Sequence, residues 1–224
     1  MPDVQAETKP WAVVVPVKRL GQAKTRLGLP AAARARLALA MAEDTILACV
    51  AAGSVRRVVV VTDDPDGAAM AAAAGAAVVA DEPDAGLNPA LRHGAAHAAE
   101  VDPDIGIVTV SSDLPAVRAA DVDAMLRAMA SDRVAIVADA AGTGTVLYAA
   151  ASIAAFDPAY GGESRAAHAR AGATDRTAEA DARLRRDVDT IADLVEAYEL
   201  GVGAATRRAV EAIGGMGELS GLVG

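Results

Sequence analysis

Short apolar runs rich in valine recur along this chain, with alanine-rich stretches of helical spacing between them. The runs cover residues 12–17, 57–62, 77–80, 105–110 and 134–138, and a further one ends at Ala149. Unbroken apolar runs read as strands buried on both faces rather than alternating, half-wet ones. Strands and helices alternating at this spacing predict a parallel, doubly wound α/β sheet. Helices are predicted over 30–50, from Asp66 to near Gly75, from Asn88 onward, along the Val122-Met125-Leu126-Met129 face, from Ser164, from Thr190 and beyond Gly201. Asn88 is the expected N-cap of the third, with Pro89 at its first helical position. Thr190 with Asp193 resembles a capping box. Residues 184–190 read as one more short strand, and residues 171–182 follow no clear pattern. With 224 residues, no repeats and no linker, one domain over 11–214 is expected, with a flexible N-terminus at 1–10 and a flexible tail at 215–224.

Composition excludes several function classes. The net charge is -9 and aromatics make up 2% of residues, too acidic and too poor in stacking rings for a nucleic-acid partner. No apolar stretch reaches membrane-spanning length. The polar N-terminus lacks a signal-peptide core, so a cytoplasmic protein is expected. The single cysteine, Cys49, falls on the predicted apolar face Leu39, Ala42, Ile46, Cys49 and Val50 and reads as a core thiol. The methionines of the 122–129 helix likewise read as core residues. A homodimer is compatible with the sequence.

Against that acidic background, Lys18, Arg19, Lys24 and Arg26 crowd into nine residues just past the first strand. In open α/β sheets the ligand crevice lies beyond the carboxyl ends of the strands. A polyphosphate site and a merely solvated basic loop both fit this stretch. The loop has neither the G-x-x-x-x-G-K-[ST] cradle nor the G-x-G-x-x-G dinucleotide turn, so side-chain cations would hold the anion: arginine as a fork, lysine as a point charge. Asn88 and Arg92, at the predicted start of the third helix, could hold a base edge or an anion, or simply begin a helix. Asp113, directly beyond a buried strand, is costly there unless paired or bound to metal, or else caps the next turn. The Gly142-Thr143-Gly144-Thr145 run offers backbone N–H groups and hydroxyls, although a plain hairpin fits equally. Ser164 could cap its helix or face a phosphate. Asp187 and Asp189 share one face of an extended chain and have no structural explanation.

Together these residues fit metal-assisted nucleotidyl transfer. Mg²⁺ on Asp113, Asp187 and Asp189 would bridge the attacking phosphate and the α-phosphate of a nucleoside triphosphate. Lys18, Lys24 and Arg26 would neutralise the departing pyrophosphate, and catalysis would rest on positioning and charge. A non-catalytic nucleotide-binding module is the rival from another class.

Five collinear segments carry a family resemblance: Val15-Pro16-Val17-Lys18 with Ala23-Lys24-Thr25-Arg26-Leu27, Leu87-Asn88-Pro89-Ala90-Leu91, Ser112-Asp113-Leu114-Pro115, Gly142-Thr143-Gly144-Thr145, and Asp187-Val188-Asp189-Thr190. The sequence resembles the guanylyltransferases of deazaflavin (coenzyme F-420) biosynthesis. The resemblance implies a single Rossmann-like nucleotidyltransferase domain, a mostly parallel sheet with helices on both faces. It implies transfer of GMP from GTP to a small phosphorylated carboxylic acid: phosphoenolpyruvate in actinobacterial relatives, whose composition this chain shares, and 2-phospho-L-lactate in archaeal ones. By the same resemblance Thr145, Gly161 and Ser164 match acceptor-holding residues, and Asp113, Asp187 and Asp189 match metal-binding carboxylates. The chain departs from the family pattern at Val146, often asparagine, and at Gly161-Gly162, often Gly-Pro. Molybdopterin guanylyltransferases and sugar-phosphate enzymes are the nearest alternatives, and they usually open with a glycine-rich loop.

Overall fold

The computed structural model describes residues 10–220 apart from residue 83. In chain order the elements are β1 (Trp11–Pro16), α1 (Ala31–Ala51), β2 (Val55–Val61), α2 (Pro65–Ala73), β3 (Ala77–Val79), α3 (Leu87–Val101), β4 (Gly106–Val110), α4 (Ala119–Ala128), β5 (Val134–Ala138), β6 (Thr145–Ala150), α5 (Ser164–Arg170), β7 (Thr174–Asp175), α6 (Ala182–Arg185), α7 (Ile191–Leu200), α8 (Ala204–Glu211) and α9 (Gly215–Ser220). Among the described residues no helix is long and apolar enough to cross a membrane.

The strands form one seven-stranded sheet in the order β3-β2-β1-β4-β6-β5-β7. β1 runs parallel to β2 and β4, β2 to β3, and β5 to β7. The expected α/β class and mostly parallel sheet are therefore present, with one exception: β6 runs antiparallel to both β4 and β5. A tight turn joins β5 to β6, and two adjacent strands so joined must run in opposite directions. The Gly142–Thr145 run is thus a hairpin connection.

Valine-rich strands bury both faces. On one side Val13, Val15, Val58, Val60 and Val108 pack against α1, α2 and α4; on the other Val14, Val59, Val61 and Ile107 pack against α3. A third cluster lies on the far side of α1, where Leu37 and Met41 meet Leu194, Ala197 and Val210 of α7 and α8. α1 is therefore buried on two sides. Its core face includes Ala42, Ile46 and Cys49 as the sequence suggested, joined by Ala38, while Leu39 is half-buried against it and Val50 points outward at 39% exposure. Burial pushes the Cys49 thiol up to about 12, as a core thiol requires.

Several local expectations are corrected. α3 begins at Leu87 with Gly86 as its N-cap, so Asn88 lies inside the first turn and does not cap. α2 is capped by Asp64, with Pro65 at the first position, one residue ahead of the predicted start. Residues 184–190 are not a strand: α6 occupies Ala182–Arg185 and irregular chain follows, because Asp181 caps a helical turn there. The patternless stretch 171–182 supplies the short edge strand β7. The Thr190–Asp193 capping box is present as predicted. Where a tail was expected from 215, α9 packs Leu219 into the third cluster; residues 1–9 and 221–224 of the expected flexible ends lie outside the described residues.

α3 approaches the sheet at Gly94. A Cβ there would stand 2.6 Å from a Val61 methyl and 2.7 Å from a Val14 methyl. Both valines are stiff and buried, so neither can give way. Gly94→Ala should therefore lower stability: overpacking costs about 1–3 kcal/mol, more than the roughly 0.5–1 kcal/mol that alanine normally contributes to a helix interior. A urea titration checks this, and a raised midpoint would mean that α3 can step away from the sheet.

Candidate active site

The sheet reverses its winding between β1 and β4, since the chain moves from β1 outward to β3 and then returns to the opposite side of β1. Open α/β sheets bind ligands beyond the carboxyl ends of the strands at such a point. A cleft of about 330 Å³ opens there, with Lys18, Lys24 and Arg26 on the wall that follows β1 and Ser111, Ser112 and Asp113 on the wall that follows β4. Leu87 and Asp189 also line it.

The wall after β1 consists of two 3₁₀ turns, Leu20–Gln22 and Thr25–Leu27. Between them Lys24 adopts a left-handed backbone conformation at φ 56°, costly for a residue with a Cβ. Asp64 secures the loop by accepting the Leu20 N–H at 2.9 Å while capping α2. Arg19 leaves the cleft: it pairs with Asp63 at 3.3 Å and Asp84 at 3.6 Å. The wall after β4 is held from beneath by Thr45 of α1, whose hydroxyl accepts the Leu114 N–H at 3.2 Å and donates to the Met41 carbonyl at 2.8 Å. The Val188 N–H donates to the Asp113 carbonyl at 3.1 Å, which brings the late acidic segment alongside.

The sequence-predicted charges converge here. The Lys24 ammonium bonds Asp113 and also lies 2.9 Å from Asp189. Arg26 pairs with the other oxygen of Asp189. Burial disfavours the Lys24 charge, but the Asp113 and Asp189 carboxylates outweigh it and hold the ammonium above its ordinary pKa. Lys18 is exposed on the same wall and makes no ion pair among the described residues. Asp187 has no cationic partner among the described residues. Burial, then the negative charges of Asp113, Asp139 and Asp189, push its carboxyl up to about 7. One oxygen of Asp113, Oδ1, is buried with no hydrogen-bond partner. An orphaned carboxylate oxygen beside a carboxyl too crowded to ionise at its usual pH is the donor set that a hard divalent cation satisfies. The donor chemistry suits such an ion, although the oxygens of Asp113, Asp187 and Asp189 are not all within 4.8 Å of one another. A second acidic group, Asp63, Asp81 and Asp84, has oxygens within 4.8 Å of one another, but it is mostly exposed and Arg19 already bridges two of its members.

The remaining predicted residues gather around the carboxyl end of β4 and the helix α5. Thr145, buried at the start of β6, has its hydroxyl 3.0 Å from His168 Nδ1. Ser164 is buried at the first position of α5, and Gly161 is exposed in the loop ahead of it. Asn88 accepts the Tyr160 N–H at 2.8 Å and donates to the Tyr160 carbonyl at 3.0 Å. Arg92 pairs with Asp157 at 2.7 Å and reaches the Pro158 carbonyl at 3.3 Å. Both side chains thus strap segment 157–160 onto α3. The Gly142–Thr145 turn uses its backbone donors internally: Thr143 and Gly144 N–H groups bond the Asp139 carboxylate at 3.0 and 2.9 Å. Val146 is buried among the apolar residues facing α1 and α4, so this departure from the family pattern lies in the core.

Sequence reasoning missed Asp139 and His168. Asp139 carried the same signal as Asp113, a carboxylate directly after an apolar run. His168 carried none: a lone histidine in an alanine- and arginine-rich helix reads as a surface residue, yet it is 1% exposed. Burial alone lowers its pKa to about 4, so it is neutral near pH 7.

The chain is similar to known proteins over nearly its whole length. The family model described as "Guanylyl transferase CofC like" matches residues 11–215. A relative from Thermomonospora curvata named phosphoenolpyruvate guanylyltransferase is 50% identical over 197 residues, 88% of this chain and 86% of its own length. One of the same name from Streptomyces scabiei is 47% identical over 205 residues, covering 89% of this chain and 95% of that one. Among solved structures, a nucleotidyl transferase from Methanothermobacter thermautotroptrophicus superposes with a TM-score of 0.59 at 20% identity, over 84% of this chain and 95% of that one, a likeness of fold.

The crowding of Asp187 has a measurable sign. Its folded-state pKa, about 7, is above the ordinary 3.8. Folding is thus penalised by its charge above pH 7, and the penalty fades as pH falls toward 4. In metal-free protein Asp187→Asn should raise the melting temperature at pH 8 by a few degrees and lose that advantage near pH 4. Equal melting temperatures at pH 8 would show that Asp187 is not crowded by its neighbours.

Proposed function

The chain belongs to the CofC-like guanylyl transferase family, and we propose that it is a phosphoenolpyruvate guanylyltransferase of coenzyme F-420 biosynthesis, moving GMP from GTP to phosphoenolpyruvate with release of pyrophosphate. The observation that carries this reading is the meeting of Lys24 and Arg26 with Asp113 and Asp189 at the β1/β4 switch point. Cations and carboxylates drawn from distant parts of the chain share one cleft, as a triphosphate with its counter-ion requires. The names of relatives at 44–50% identity support the choice of GTP and phosphoenolpyruvate. Both proposed substrates are cytoplasmic metabolites, and the protein is proposed to act in that compartment.

In this proposal Lys24 and Arg26 exchange their carboxylate partners for phosphate oxygens of GTP, and Lys18 adds charge from the open side of the cleft. These cations offset the negative charge that grows on the departing pyrophosphate. Asp113, Asp187 and Asp189 are the residues that would hold Mg²⁺, which when bound would supply charge neutralisation between the acceptor phosphate and the α-phosphate. The acceptor is already a phosphate anion, so the chain needs no general base to create the nucleophile. Thr145, Gly161 and Ser164 are proposed to hold it in line with the α-phosphate. Asn88 and Arg92 both bond segment 157–160 and are assigned to positioning that segment beside Gly161.

The decisive experiment offers the purified protein GTP and Mg²⁺ with phosphoenolpyruvate or 2-phospho-L-lactate and follows pyrophosphate release. Turnover with phosphoenolpyruvate is expected, and turnover with neither acid sinks the reading. Asp113→Asn should lower kcat by at least ~100-fold, the scale of one lost electrostatic contact to a transition state; near-normal turnover would remove Asp113 from the site. Lys24→Ala and Arg26→Ala should raise KM for GTP more than KM for the acid. The opposite split in steady-state kinetics would move these cations to the acceptor side.

A further inference from the structure

His168 lies on α5 four residues after Ser164, so the two side chains share one face of that helix. It also bonds Thr145 and the segment that leads into Gly161. Its Nδ1 is 3.0 Å from the Thr145 hydroxyl, and its Nε2 is 2.8 Å from the backbone nitrogen of Ala159, two residues before Gly161. The rings of Tyr148 and Tyr160, with centroids 4.8 and 5.4 Å away, fix the imidazole plane.

These contacts determine the tautomer. A backbone nitrogen can only donate, so His168 Nε2 accepts and carries no proton. The ring proton of the neutral imidazole is then on Nδ1, and it is donated to Thr145 Oγ1. A hydroxyl has one proton and two lone pairs. With one lone pair engaged by His168, the Thr145 proton is directed elsewhere.

We propose that His168 is a positioning residue for the acceptor: its Nδ1–H tautomer keeps the Thr145 hydroxyl a hydrogen-bond donor for the phosphorylated acid, and its Nε2 fixes the segment that presents Gly161. This rests on the acceptor site of the proposed function. It makes one buried ring a direct support of Thr145 and of the segment at Ala159 that leads to Gly161. The site recognises an anion with oriented donors, and an Nε2–H tautomer would clash with the Ala159 N–H and release both strands of the arrangement.

Nitrogen NMR of the imidazole in the free protein reads the tautomer directly. A protonated Nδ1 with a bare Nε2 is expected, and a protonated Nε2 overturns the proposal. Kinetically, His168→Leu should raise KM for phosphoenolpyruvate about 10- to 100-fold, the scale of one hydrogen bond to a charged group, with KM for GTP near wild type. His168→Asn, whose amide N–H can stand where Nδ1–H stood, should recover most of the loss. Equal increases in both KM values, or no recovery with asparagine, would reduce His168 to packing and overturn the proposal. Should His168→Leu fail to fold, Thr145→Val and Thr145→Ser replace it: the valine variant should show the same selective loss and the serine variant should not, and identical behaviour of the two overturns the proposal. Wild-type turnover is measured first. Its absence with both phosphoenolpyruvate and 2-phospho-L-lactate sinks the guanylyltransferase reading and this one together, whereas an active wild type with an unselective His168→Leu sinks this one alone.

Discussion

The Lys24 ammonium lies between carboxylates that come from distant parts of the chain, Asp113 just past β4 and Asp189 just before α7. Its side chain is 11% exposed, so burial disfavours the ammonium and the two carboxylates are what hold its charge. The gain of pairing and the loss of hydration are of similar size, so such an arrangement contributes more to geometry than to net stability. Its structural effect is to draw three separate segments onto one crevice. Removing Lys24 would leave Asp113 with no cation among the described residues, whereas removing either carboxylate would still leave Lys24 the other. The left-handed backbone at Lys24 is part of the same bargain, since it turns the side chain inward between two tight turns.

The elements beneath this network hold it from below. α1 is buried against the sheet on one side and against α7 and α8 on the other, and it contributes one polar residue to each neighbour. Thr45 fixes the loop that carries Asp113. Asp44 accepts the N–H groups of Ala205 and Thr206 at 3.0 and 2.8 Å and caps α8, packed so closely on Gly203 that a side chain there would collide with its carboxylate. Because α7 follows Asp189 directly and its helical partner α8 is fixed to α1, the position of the late acids is set by packing well away from the cleft. The apolar layers and the charge network therefore fix the same segments from two sides.

Most of the sheet was legible because buried parallel strands leave long apolar runs, and the cations were legible because they contrast with an acidic chain. Asp113 could be read from its place alone, directly beyond a strand. The stretch around Asp187 and Asp189 was read as a strand and is not one: Leu184 and Val188 are both fully buried, but in a helical turn followed by irregular chain, where no periodicity distinguishes them. Asn88 shows the opposite failure. Asn-Pro at a helix start is a strong local signal, yet tertiary hydrogen bonds to Tyr160 claimed the side chain and the cap passed to Gly86. β7, two residues long, and His168, isolated in sequence, depend wholly on neighbours distant along the chain.

The two halves of the proposed site differ in physical kind. On the nucleotide side the groups are ionic and already paired with one another, so an incoming triphosphate must exchange one set of partners for another. Such an exchange is sensitive to salt and to the identity of the counter-ion, because every participant is charged. On the acceptor side the groups are neutral and committed in advance: Thr145 to His168, His168 to Ala159, Asn88 to Tyr160. Oriented neutral donors lose little on reorganisation when an anion arrives, which is the condition for strong electrostatic recognition in a partly dry cleft. A small three-carbon acid offers few contacts, and a rigid, prepaid arrangement is the means by which few contacts can discriminate. The triphosphate is large and highly charged, and a network that rearranges around it can bind it without being preformed.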